Sequence, residues 1–236
     1  MRISRPLFAL VAVVALGAAV PAGVATADDG GWVQDANEKG VVVTTKTDPG
    51  RSLPMFRGVG TVDANLFEIL AVLDDIHHYT EWMSDCKEAH VVKQINEFER
   101  IEYNRIAAPW PVSDRDTTIH SWVKASYSKH EVWARFESVD APEAPPVSGV
   151  VRMPRLAGYY HLEAIDIDHT KVTYQVDADP GGLLPDWLVK LTSRKLPIET
   201  IVGLRREVTK MRGQHDAFLQ RYDPDKGGKI PPQFAN

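Results

Sequence analysis

The sequence predicts an α+β domain in which a curved antiparallel β-sheet wraps around one long C-terminal α-helix. Three observations carry that prediction. Nine strand-like segments follow one another across residues 41–178, and the later seven run on with no helical crossover between them, which favours antiparallel neighbours. Two short helical patterns intervene once, after the first pair of strands. A final long segment carries an apolar stripe at helical spacing.

The chain of 236 residues opens on Arg2 and Arg5, then an apolar run over residues 7–20, then the small residues Ala25-Thr26-Ala27. This is the pattern of a secretory signal peptide over residues 1–27, with a mature start at Asp28. The run has 14 residues, short of the roughly 20 that span a bilayer, and Pro21 and Gly23 follow it. Export to a periplasm or to the medium is therefore expected.

Residues 28–40 read as a lead-in, a short helix or turn anchored by Trp32. The domain proper is expected over residues 41–222. Residues 41–47 are β-branched, Asp48-Pro49-Gly50-Arg51 forms a turn, and 56–62 alternate, so a hairpin follows. Asp63 is placed to cap a helix over 65–73, where Leu66, Ile69, Leu70 and Leu73 share one face; a second short helix covers 77–83. Strands are then predicted at 89–95, 100–107, 117–126, 131–139, 150–155, 159–167 and 171–178, in one meander. Between two of them, residues 140–148 hold Pro142, Pro145 and Pro146, which cannot donate to a ladder, so a long exposed loop is expected. Gly181-Gly182 opens the last helix, 184–222, whose stripe of Leu184, Trp187, Leu188 and Leu191 continues through Ile198, Ile201, Val202 and Val208. Pro197 should break or kink it. Residues 223–236 read as a frayed tail.

Composition narrows the function. With 44% hydrophobic and 25% charged residues the chain is an ordinary globular one. Its net charge of −5 argues against nucleic acid. Without the leader, 25 basic and 32 acidic residues leave −7. Yet the last helix is basic: Lys190, Arg194, Lys195, Arg205, Arg206, Lys210 and Arg212 stand against Asp186, Glu199 and Glu207. That is either a solvated face or a transient contact with an anionic membrane surface. The single Cys86 excludes a disulfide scaffold and reads as a small buried hydrophobe. No hydrolase, nucleotide-loop or zinc-protease motif occurs; His77 and His78 are adjacent and so point apart; Asp166 and Asp168 begin a calcium-loop pattern that Lys171 spoils. Neither a metal nor a cofactor is expected, and a monomer is.

Two stretches carry a resemblance. Ala108-Pro109-Trp110-Pro111-Val112-Ser113-Asp114-Arg115-Asp116 resembles the Pro-Trp-Pro and Arg-Asp signature of START domains, the lipid-transfer family related to the steroidogenic acute regulatory protein. Asp179-Pro180-Gly181-Gly182-Leu183-Leu184-Pro185-Asp186-Trp187-Leu188-Val189 looks like that family's approach to its C-terminal helix. The resemblance implies a helix-grip fold with one lipid-sized cavity between sheet and helix, gated by that helix and by a loop at 140–148. It also implies a carboxylate at Glu102, whose arginine partner in sterol-binding members falls on Ser121 here. A buried Glu102 without an arginine is expected to donate a hydrogen bond.

The expected ligand is one hydrophobic molecule, a phospholipid, a fatty acyl compound or a sterol-like one, held by Glu102, Asn104, Ile106, Ile119, Ser121, Leu184, Trp187, Leu188 and Leu191. Trp110 is expected as a rigid turn packed on the sheet, and Arg115 with Asp116 as a buried structural pair. The leading alternative is an enzyme on the same scaffold, a polyketide cyclase, aromatase or hydrolase, with Glu102, Tyr103, Asn104 and His120 as acid–base candidates. A third is a sensor that reports occupancy to a protein partner.

Overall fold

The computed structural model describes residues 30–229, 231, 232 and 235. The leader at 1–27 lies outside the described residues.

Among the described residues ten strands form one sheet: β1 (Val33–Glu38), β2 (Val41–Lys46), β3 (Met55–Val62), β4 (Cys86–Asn96), β5 (Glu99–Ile106), β6 (Arg115–Ser126), β7 (Glu131–Ser138), β8 (Val151–Arg152), β9 (Arg155–Ala164) and β10 (Thr170–Asp179). Their order is β1-β2-β3-β10-β9-β7-β6-β5-β4, so the N-terminal hairpin docks on the last strand. The lead-in is thus a strand rather than a helix or turn. Val33 to Glu38 pair along β2, with a turn at Lys39 and Gly40, both at positive φ. The strand predicted at 150–155 is reduced to the two residues of β8, which pair parallel to Arg115 and Asp116.

Helix α1 (Leu66–Asp74) is capped by Asn65, not Asp63: the Asn65 side chain accepts from Phe67 N–H at 2.7 Å while Glu68 accepts from Asn65 N–H at 3.1 Å. A 3₁₀ turn (Ile76–His78) and the single-turn α2 (Tyr79–Trp82) follow.

Helix α3 (Asp186–Lys210) runs through Pro197 without ending there. The proline ring itself is accommodated by Gly58 of β3, where a Cβ would come within 2.8 Å of Pro197 Cβ. The predicted single helix stops instead beyond Lys210, where a turn includes Gly213 at φ +81°, and α4 (Asp216–Tyr222) follows. The segment after it is folded back, not frayed, over 223–229: Asp223 is buried, its side chain accepts from Asp225 N–H, and Lys229 N–H donates to Arg221 O at 2.8 Å.

The main core lies where α1, α3 and α4 meet the sheet, around Ile69, Leu70, Leu162, Val172, Leu204 and Val208. Gly203 lets α3 approach α2, since a Cβ there would meet Trp82 O at 2.2 Å. Cys86 is buried as expected, and burial raises its thiol to about 11. The other end of the grip is left hollow.

Candidate functional site

The hollow is a cavity of about 510 Å³ between the sheet and α3. Alternation along β5 and β6 builds one wall, because every second side chain points the same way. Arg100, Glu102, Asn104 and Ile106 face inward from β5, and the register sets them opposite Ser121, Ile119, Thr117 and Arg115 of β6.

This wall is polar and internally bonded. Arg100 Nε donates to Glu102 Oε1, and Arg100 Nη1 donates to Asp74 Oδ1 at 2.8 Å and Asp74 O at 2.9 Å. Ser121 Oγ donates to the same Glu102 oxygen at 2.9 Å. Burial pushes the Asp74 carboxyl above its ordinary range while Arg100 opposes it. Burial also disfavours the charge on Arg100, but Glu102, Tyr79 and Asp74 outweigh it and hold the guanidinium protonated. The arginine expected at position 121 and absent there therefore arrives from position 100. Glu102 is an acceptor with a counter-charge, correcting the expectation of an unaccompanied donor. Arg100 was detectable in principle, since two residues along a strand is the same face.

The adjoining wall, from β7 across to β3, is apolar and aromatic: Phe56, Phe136, Tyr160, Tyr174 and Val176 come from β3, β7, β9 and β10. The rings of Tyr160 and Tyr174 stack at 4.6 Å, and burial drives both phenols well above their ordinary value. Gly158 makes room for this packing, as a Cβ there would lie 2.6 Å from Phe136 Cζ.

Helix α3 and the segment before it close the cavity with Leu184, Leu188, Leu191 and Leu196. Trp187 does not join them. It is 51% exposed and absent from the lining, one position off the Leu188 face and so turned about 100° around the helix. Leu191 lines the cavity yet remains exposed, which puts it at the rim.

Trp110 is 90% exposed and not packed on the sheet. Its loop is fixed without it: Asp114 accepts from Ala108 N–H, Arg105 and Lys87, and the Lys87 bond, followed by the Arg105 one, holds the carboxyl down at about 2 against its partial desolvation. Arg115 and Asp116 do not pair with each other. Arg115 donates to Pro180 O at 3.4 Å and Gly181 O at 3.3 Å, stapling β6 to the segment between β10 and α3, and burial lowers its pKa. Asp116 accepts from Arg152 Nε at 2.8 Å and from Tyr103. Arg152 also donates to Ala144 O at 3.1 Å, so residues 140–148 are tied to the sheet and none of them lines the cavity. Of the acid–base candidates, Glu102 and Asn104 line it; Tyr103 is bonded to Asp116, and His120 contacts Glu99 and stacks on Trp122.

The basic face of α3 and the turn after it is largely engaged. Arg194 pairs with Glu38, Lys195 with Glu199, Arg206 donates to Glu81 O, Lys210 pairs with Glu81 and Glu207, and Arg212 donates to Asp63 O. Arg205 donates to Thr61 O, Lys39 O and Gly40 O.

A sheet closed over a helix with a hollow between them defines a helix-grip domain. The sequence model of the START domain matches residues 22–212, and the chain belongs to that family. It is 32% identical over 189 residues to an uncharacterised protein of Pseudomonas aeruginosa, covering 80% of this chain and 91% of that one. It is similar to the solved STAR-related lipid transfer protein of Xanthomonas axonopodis, at 31% identity and a TM-score of 0.68, over 76% of this chain and 99% of that one. Human STARD10 shares the fold at 20% identity, with a TM-score of 0.70 over 87% and 84% of the two chains.

Proposed function

We propose that this protein binds one hydrophobic lipid molecule in the cavity under α3 and carries it between membranes. The carrying observation is the cavity itself: about 510 Å³, one wall aromatic, inside the range of roughly 300–1,000 Å³ that holds a single small ligand. Removing apolar surface from water drives such binding at about 25 cal/mol per Å² buried. The polar wall limits what else enters, because its charges are already paired and an unmatched ligand atom there loses its water without compensation. A STAR-related lipid transfer protein among the similar solved structures supports the same reading.

The contact with membranes is assigned to the rim rather than to the basic face. Trp110, Leu183, Trp187 and Leu191 are exposed, Leu183 to 98%, and they adjoin the lining residues Pro109, Leu184 and Leu188. Exposed apolar side chains grouped at a mouth lower the cost of opening it against lipid. Among the described residues no helix is long and apolar enough to cross a membrane. The protein is proposed to act as a monomer, exported after cleavage before Asp28, on the strength of the leader pattern; N-terminal sequencing of exported protein tests that.

Transfer of a fluorescent acyl lipid from donor to acceptor vesicles tests the carrier. A rate that rises with protein concentration is expected. A rate equal to spontaneous exchange, with folded protein, refutes it.

A further inference from the structure

The length of the cavity can be read along two separate elements. On the sheet side β5 lines it from Arg100 to Ile106, a stretch of roughly 20 Å at about 3.3 Å per residue. On the helix side α3 lines it from Leu188 to Thr200, a stretch of about 18 Å at 1.5 Å per residue. The two agree on one passage.

Volume and length together fix its width. A methylene takes roughly the room of one water molecule, about 30 Å³, so a cavity of about 510 Å³ admits about 17 carbons. Joined by C–C bonds of about 1.5 Å in an extended zigzag, about 17 carbons also reach roughly 20 Å. One chain therefore uses up the volume and the length at the same time. Two chains side by side would each end after about eight carbons, half way along.

The helix is held down where a second chain would have to lift it. Gly58 and Gly60 of β3 face α3: a Cβ on Gly58 would lie 2.8 Å from Pro197 Cβ, and one on Gly60 would lie 3.2 Å from Ile201 Cγ2. Arg205 donates to Thr61 O at 2.8 Å and Gly40 O at 3.0 Å and ties the same part of α3 to the hairpin of β2 and β3. Ile198, Ile201 and Leu204 are buried beneath it, and raising the helix returns their surface to water. Leu196 and Thr200, which line the cavity, belong to this anchored part.

We propose that the cavity takes a lipid with a single hydrocarbon chain and turns away one with two, and that Gly58 and Gly60 set this limit by letting α3 settle directly on the sheet. This rests on the carrier reading and narrows its ligand class.

Two lipids that share a headgroup and a kind of chain test it: oleoyl lysophosphatidylcholine and dioleoyl phosphatidylcholine, each displacing a fluorescent single-chain fatty acid from the full-length protein. The single-chain lipid is expected to bind about tenfold more tightly or better, because overfilling a packed interior is costly. Saturated fatty acids of increasing length give the second reading. Their affinity should rise about fourfold with each methylene and stop rising at about 17 carbons. Phe136→Ala, which empties the space beside Gly158, should move that break to chains about three carbons longer. Equal displacement by the two phosphatidylcholines, an affinity that climbs without a break, or a break that Phe136→Ala leaves in place overturns the inference while the carrier reading stands. Binding of no fatty acid and no lipid removes the carrier reading and this inference with it.

Discussion

The two walls of the cavity are made from the same material, alternate residues of neighbouring strands, and behave in opposite ways. The wall from β5 and β6 is held by charge: Arg100 lies between Asp74 and Glu102, and Ser121 completes the set. The wall from β3, β7, β9 and β10 is held by contact, with Phe56, Phe136, Tyr160 and Tyr174 packed edge and face. The polar wall tolerates little change because each charge is buried against another; the aromatic wall yields by degrees. A cavity built this way has one stretch of lining made of paired charges and another made of packed rings.

Arg100→Leu should have the largest effect. It leaves the carboxyl groups of Glu102 and Asp74 facing the cavity without a counter-charge, and a loss of about 3–5 kcal/mol is expected in urea unfolding. Adding Glu102→Leu to that variant should recover part of the loss; if the double variant is less stable than the single one, the wall is not an electrostatic unit. Leu188→Ala on the helix side should cost about 2–3 kcal/mol, the lower part of the range for a buried leucine, since a cavity already adjoins it.

Acid should find the loop below the polar wall. The folded-state pKa of Asp114 is depressed to about 2 from an ordinary 3.8, so the stability it contributes is present above the higher value and is lost as pH falls through the lower one. Asp114→Asn should therefore flatten the stability profile between about pH 4 and pH 2, and an unchanged profile would remove Asp114 from the account. Smallest for the fold, Leu183→Ser should shift stability by no more than about 0.5 kcal/mol while vesicle co-sedimentation falls. Trp187→Glu should behave alike, retaining ligand and losing vesicle contact, because Trp187 faces away from the cavity.

The aromatic and aliphatic framework was legible because periodicity reports which face is buried. The strands from β4 to β7, the hairpin of β2 and β3, and the inward positions of Leu184, Leu188, Ile106 and Ile119 could be read that way. What escaped depends on partners distant in the chain. Lys39 and Gly40 at positive φ turn residues 33–38 into a strand, a pairing invisible without β2 beside it. Pro197 finds room for its ring against Gly58, a residue far away in the chain. Trp187 and Leu188 share one apolar stripe, and only the position of the sheet decides which of them turns inward. The counter-ion of Glu102 stands two residues away on its own strand and not at position 121 across from it.

Native mass spectrometry of the protein incubated with a mixed lipid extract tests the central claim most directly. The account predicts a folded chain carrying one hydrophobic molecule, with the adduct lost when Ile119→Trp fills the cavity between the two walls. A folded wild-type chain at its bare mass, or an adduct undiminished by that substitution, would contradict it.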